Sequence, residues 1–197
     1  MKCLAVLLLP LLLVAGPLDW PTFRGAGAKG FADNVNLPDQ FDGTTEQGIR
    51  FKVRIPGLAH SSPVIWGEKL FLTTAVSQDP KANFKPGLYG SGDASTDRSE
   101  HQWQVICLNK QTGRILWKHT AFRGKPIDKR HIKSTYANST PATDGQHVIA
   151  SFGSQGLFAY TNEGMPLWKK QFGRLDVGAY DLPGYEWGPA SSPILHE

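Results

Sequence analysis

Val105-Ile106-Cys107-Leu108-Asn109-Lys110-Gln111-Thr112-Gly113-Arg114-Ile115-Leu116-Trp117 reads as one complete piece of antiparallel sheet: an apolar strand, a polar turn, and a second strand ending on an indole. Asn109 to Gly113 are turn formers or long polar side chains. Gly113 stands where a hairpin loop most often needs positive φ, which glycine adopts without a Cβ clash. A second copy follows at Leu157-Phe158-Ala159-Tyr160-Thr161-Asn162-Glu163-Gly164-Met165-Pro166-Leu167-Trp168, one residue shorter in its turn. Gly113 to Trp117 and Gly164 to Trp168 are the same four-residue step.

The repetition extends upstream of each hairpin. Ser61-Ser62-Pro63-Val64, Ser139-Thr140-Pro141-Ala142 and Ser191-Ser192-Pro193-Ile194 open strands in the same way. From Trp117 to Pro141 is 24 residues and from Trp168 to Pro193 is 25, so the return connections agree. Pro141 to Trp168 is 27 residues but Pro63 to Trp117 is 54. The surplus lies over 76–101, a Ser-, Asp-, Gly- and Lys-rich run without apolar periodicity, which reads as a surface insertion.

Between these landmarks the pattern predicts strands at 62–66, 70–75, 140–142, 147–152 and 157–161, separated by short polar turns. No segment shows capped helical periodicity, and 14 prolines are scattered along the chain, so helix content is expected to be low. Each unit is then four short antiparallel strands. Such a unit cannot bury both faces alone, and packing unit on unit around an axis gives a β-propeller. The expected fold is all-β: a partial propeller of about two complete four-stranded blades plus parts of two others. The complete blades fall at 62–118, with the insertion, and at 139–171. A blade-end strand at 49–55, where Phe51 takes the place of the later tryptophans, precedes them, and 190–197 begins the next. Gly113, Trp117, Gly164 and Trp168 form the expected docking motif, each indole filling the wedge between blades with its N–H on a neighbour's backbone.

The Cys-x-Asn-x-x-Thr-Gly-x-x-x-Trp shape of Cys107 to Trp117 resembles the tryptophan-docking motif of pyrroloquinoline quinone (PQQ) repeat propellers. Asp19-Trp20-Pro21-x-Phe23-Arg24-Gly25, with the Ser-Ser-Pro strand openings, is similar to the exported bacterial members described as PQQ-binding-like. The second copy departs from the motif in lacking the Thr before Gly164. The resemblance implies a ring of seven or eight blades. On that expectation the chain reads as an N-terminal piece that stops inside a blade, an incomplete propeller domain over 17–197, marginal in stability alone and monomeric when full length.

Met1 to Gly16 has one early charge, Lys2, then an apolar run too short for a spanning helix, and reads as a secretory signal peptide. Its removal leaves no transmembrane span and implies a secreted or periplasmic protein. Formal net charge is +4 and falls to +3 without Lys2. The nearest basic cluster, Arg123, Lys125, Lys129, Arg130, His131 and Lys133, reads as a solvated loop and not as a nucleic-acid module. Cys107 is left without a disulfide partner and sits inside an apolar strand, as a small buried hydrophobe does.

A fold of this kind does not specify an activity. Two functions are open: a noncatalytic exported scaffold that binds a protein or polymer partner through its loops, with no cofactor, or a quinoprotein dehydrogenase that oxidises an alcohol or sugar with PQQ and Ca²⁺. The second needs hard oxygen ligands, a cation toward the quinone and a carboxylate base. Asp33, Asn34, Asn36 and Asp39 are oxygen-rich but fit no calcium loop. Asp93, Asp97 and Glu100 read as solvated insertion residues, and no catalytic or metal-binding set is assigned. The innermost strand of a propeller blade begins near the central channel. His60, Tyr136, Asn138, Tyr185, Glu186 and Trp187 are therefore the candidate channel-facing residues.

Overall fold

A computed structural model describes residues 19–33, 35, 37–88, 93–175 and 187–196. The signal-peptide stretch 1–16, Asn34, Asn36, Tyr185 and Glu186 lie outside them. The described residues form two four-stranded antiparallel sheets with two short 3₁₀ turns, at Ala26–Ala28 and Gly153–Gln155. The first sheet takes β1 (Val64–Trp66), β2 (Lys69–Ser77), β3 (His101–Asn109) and β4 (Ile115–Gly124) in sequence order. The second takes β5 (Ala142–Thr143), β6 (His147–Ser151), β7 (Leu157–Thr161) and β8 (Pro166–Lys170).

The two sheets are copies in register as well as in order. Val64, Phe71, Cys107 and Trp117 face one another across the first sheet. Ala142, Ile149, Ala159 and Trp168 hold the matching row in the second. A ladder irregularity falls beside each hairpin turn, between Cys107 and Leu108 and between Ala159 and Tyr160. The openings repeat too: the Ser62 amide donates to Thr140 Oγ1 at 3.0 Å, and the Thr140 amide donates to Ser192 Oγ at 3.0 Å. Three equivalent hydroxyl positions thus tie consecutive units together.

Period-2 alternation dictates the core. Val64, Phe71, Trp103, Val105 and Cys107 present one face of the first sheet to Val148, Ala150, Phe158 and Tyr160 of the second. The hairpin turn of the second sheet closes the wedge. Trp117 lies on Gly164, whose φ of 92° leaves no room for a side chain, and Trp117 Nε1 donates to the Asn162 carbonyl oxygen at 3.1 Å. Phe51 lies in the same way on Gly113, and Trp66 on Gly145. Cys107 is fully buried, and burial pushes its thiol up to about 12, which leaves it inert as a nucleophile.

Asp19-Trp20-Pro21 is stitched to the inner strands. Trp20 exchanges both backbone bonds with Ile65, and the Thr143 amide donates to the Pro21 carbonyl oxygen. This segment therefore spans both sheets.

Four expectations are modified. Residues 49–55 form no strand, because no neighbouring strand offers them a ladder. They lie over the outer face of the first sheet, where Phe51, Val53 and Ile55 line one cavity with Leu70, Leu72 and Leu108. Residues 190–196 likewise carry no ladder, although Ser192 holds its repeat position. Trp117 is a wedge between blades, but Trp168 is 51% exposed, since no turn equivalent to that of Gly164 covers it among the described residues. The insertion is not a solvated loop: it is bound to the return connection, as follows.

Candidate functional site

The insertion and residues 125–138 build one shelf at the end of the sheets. Ala94 bridges His131, the Ser95 amide donates to the Arg130 carbonyl oxygen, the Ile132 amide to that of Asp93, and the Lys85 amide to that of Ile132. Two guanidiniums fasten the seam. Arg98 donates to the carbonyl oxygens of Asp128 (2.6 Å) and Pro126 (3.2 Å). Arg130, only 2% exposed, donates to those of Ser134 (2.7 Å) and Asn83 (2.9 Å) and lies 5.6 Å from the centre of the Tyr136 ring. The reading of Arg130 as part of a solvated basic loop is therefore corrected: a guanidinium has five donors in a fixed fork and can join carbonyls of two loops at once. Burial lowers its pKa, while Tyr136 and Asp97 oppose that shift.

Beneath the seam lies a buried polar knot. Asp97 Oδ1 accepts from the Ser99 amide and hydroxyl, Asp97 Oδ2 stands 3.4 Å from His101 Nε2, and Ser77 Oγ is 2.7 Å from Ser99 Oγ. His101 Nδ1 is 2.9 Å from the Ser99 carbonyl oxygen. Asp97 was expected in solvent, yet its side chain is 7% exposed, because the insertion folds it back over the start of β3. Burial pulls the carboxyl upward, but the hydroxyls of Ser99 and Ser77, the Ser99 amide and the facing His101 outweigh it and hold it below the ordinary range. The depressed value sets the sign. The stabilisation is complete above the unfolded aspartate value of about 3.9 and is lost as pH falls through the folded value. Acidification below about pH 4 should accordingly loosen the insertion before the sheets. Amide exchange at 78–100 followed against pH checks this, and Asp97→Asn should abolish the pH dependence.

The candidate channel residues divide. Tyr136, Asn138 and Trp187 border one narrow cleft together with Asp128, Arg130 and Gln155. His60 stands apart with its ring edge-on to Phe84 at 4.9 Å, although its amide donates to the Ala137 carbonyl oxygen. Tyr136 is a structural member: its hydroxyl donates to the Asp128 carbonyl oxygen at 3.2 Å, its own carbonyl accepts from Trp103 Nε1 at 3.0 Å, and burial raises its pKa. Asn138 closes a local turn, Oδ1 accepting from Thr135 and Nδ2 donating to Ser134 Oγ. Trp187 is 48% exposed and meets His131 edge-on at 5.3 Å. Arg98, Asp97 and His101 escaped sequence reasoning as a group, since nothing in their spacing reveals that the insertion doubles back.

Calcium takes six to eight oxygens, with carboxylates prominent. Asp33 and Asp39 are exposed, Asp97 is turned inward to Ser99 and His101, and Glu100 Oε1 accepts from Gln78 Nε2. Among the described residues no group of three or more His, Cys, Asp or Glu converges.

Sheet order, register and repeated docking of aromatic rings on glycines define an all-β protein of two propeller-type blades. No family model matches the chain, and no curated protein does. Among solved structures it is similar to a europium-containing methanol dehydrogenase, at 16% identity and a TM-score of 0.25, over 54% of this chain and 23% of that one. The chain thus spans less than a quarter of the length of that enzyme. No helix among the described residues is long and apolar enough to cross a membrane.

Proposed function

We propose that the chain is a noncatalytic, exported propeller-type binding module that presents its loop shelf and rim to a protein or polymer partner. What supports this reading is the use made of the polar side chains at the loop end. Arg98, Arg130 and Tyr136 are engaged with backbone carbonyls of the shelf itself. A guanidinium so held ties loop to loop and rigidifies the surface it belongs to. Around this frame Ile127 and Trp187 remain exposed, as loop residues on a rigid scaffold do when they meet partners.

The test is reconstitution of the purified protein with PQQ and Ca²⁺, followed by its absorption spectrum and by dye-linked oxidation of a panel of alcohols and aldoses. Unchanged spectra and no dye reduction are expected. A shifted quinone band with substrate-dependent dye reduction would overturn the noncatalytic reading in favour of a quinoprotein dehydrogenase.

A further inference from the structure

The chain shows twice what covers an aromatic ring that precedes a unit of this repeat. Phe51 lies on the Gly113 turn, and Trp117 lies on the Gly164 turn with its Nε1 on the Asn162 carbonyl oxygen. Trp168 holds the third such position. It ends the row Ala142, Ile149, Ala159 and Trp168, which repeats the row Val64, Phe71, Cys107 and Trp117. The earlier row faces the second sheet. In the later row Ala142, Ile149 and Ala159 are buried, whereas Trp168 at the outer end is half exposed.

A second repeat position is bare beside it. Val64 and Ala142, each directly after the proline of its strand opening, are fully buried and pair across a ladder with Phe71 and Ile149. Ile194 stands directly after Pro193, has no ladder partner among the described residues, and is 80% exposed. Yet its opening is already docked in register. The Thr140 amide donates to Ser192 Oγ just as the Ser62 amide donates to Thr140 Oγ1. A third unit is therefore begun at the place the first two dictate, with an unpaired apolar edge at 194–195 and an uncovered indole at Trp168.

We propose that Trp168 and the edge at 193–196 form the docking surface for a three-stranded antiparallel segment of the same repeat, which takes 193–196 as its innermost strand. Such a segment pairs its first strand with Ile194 and Leu195 and alternates apolar residues toward the second sheet. It closes on Trp168 with a glycine hairpin turn, one of whose carbonyl oxygens accepts from Nε1. A second copy of this chain does not offer that turn, because its own Phe51 and Trp117 already occupy Gly113 and Gly164. In a repeat array each interface between neighbouring units adds to the stability of the whole. The inference concerns this surface alone and stands whether or not the shelf is noncatalytic.

The test lengthens the whole chain with a copy of its own residues 145–171 in place of Glu197, which completes the third unit from the matching position. The urea midpoint is expected to rise by about 0.5 M or more. Amides within 194–196 should exchange about tenfold or more slowly than in the parent chain. Trp168→Ala should remove most of the gain from the lengthened protein and leave the parent, where the ring is half exposed, close to unchanged. Alanine at the added counterpart of Gly164 should act like Trp168→Ala, since it closes the seat of the ring. An unmoved midpoint, amides at 194–196 no slower than in the parent, or an equal cost of Trp168→Ala in both proteins would overturn the proposal. A parent chain that dimerises, and that Trp168→Ala returns to monomer, would also overturn it by making a second copy the occupant. Dye reduction in the quinone reconstitution removes only the noncatalytic reading and leaves these outcomes untouched.

Discussion

Replacing Trp103 with Ala is expected to leave a chain that does not reach a cooperative native state at room temperature. Trp103 is fully buried in β3, its ring 5.4 Å from Phe122 and 6.0 Å from Tyr136, and its Nε1 donates to the Tyr136 carbonyl oxygen at 3.0 Å. Removing a buried indole costs about 3–5 kcal/mol in lost burial and cavity. The orphaned Tyr136 carbonyl adds about 1–3 kcal/mol. The sum, about 4–8 kcal/mol, is comparable with the lower half of the total folding stability of about 5–15 kcal/mol that small domains have. Trp103 also joins the shelf to the sheet, so the loss spreads into Tyr136 and the residues bonded to it. Urea denaturation followed by near-ultraviolet dichroism reads the outcome. Trp103→Phe separates the two contributions, because it restores much of the volume but not the donor. A Trp103→Ala midpoint within error of the parent would show that the indole is not the link between shelf and sheet.

The repeat was legible because its signals are local. Period-2 alternation, Gly113 and Gly164 in hairpin turns and the Ser/Thr-Pro openings each depend on a few adjacent residues, and the two sheets follow from them in the expected order. Boundaries differ where the ladder outruns the apolar pattern: by a residue or two at Lys69 and Ser77, which pair through their backbones, but by more in the long hairpin, where β3 begins at His101 and β4 runs past Trp117 to Gly124. Residues 49–55 show the limit of such reading: the aromatic position is right, since Phe51 lies on Gly113, but a ladder needs a neighbouring strand, and sequence alone does not supply one.

The site was less legible because its contacts are long-range. Arg130 meets Asn83 across 47 positions, Arg98 meets Asp128 across 30, and Lys133 meets Gly87 across 46. Composition marks the insertion as polar, but a polar residue in a loop and a polar residue closing a buried seam look alike until the loop's path is known. Of the channel candidates, Tyr136, Asn138 and Trp187 do gather at one cleft, because strand openings converge where inner strands begin.

Gly164→Ala is expected to destabilise the protein by at least about 2 kcal/mol, through the junction of the sheets and not through the turn itself. A Cβ at Gly164 would stand 2.7 Å from Trp117 Cγ, nearer than real carbons approach, in a backbone with φ of 92°. The indole must move, and moving it breaks the bond from Nε1 to the Asn162 carbonyl oxygen. Gly67→Ala is the matched control, since Gly67 also has positive φ, 56°, but nothing lies within 4 Å of its added carbon. That change should cost only about 1 kcal/mol, the ordinary penalty for alanine in a left-handed turn. Denaturation midpoints of the two variants isolate the part of the loss that belongs to the contact between sheets. Trp117→Leu placed in the Gly164→Ala background should recover part of it, because the shorter side chain no longer meets the new carbon, and the coupling between the two changes is then nonadditive. Equal losses for the two glycine variants, with strictly additive double substitution, would mean that the indole does not hold one blade against the next.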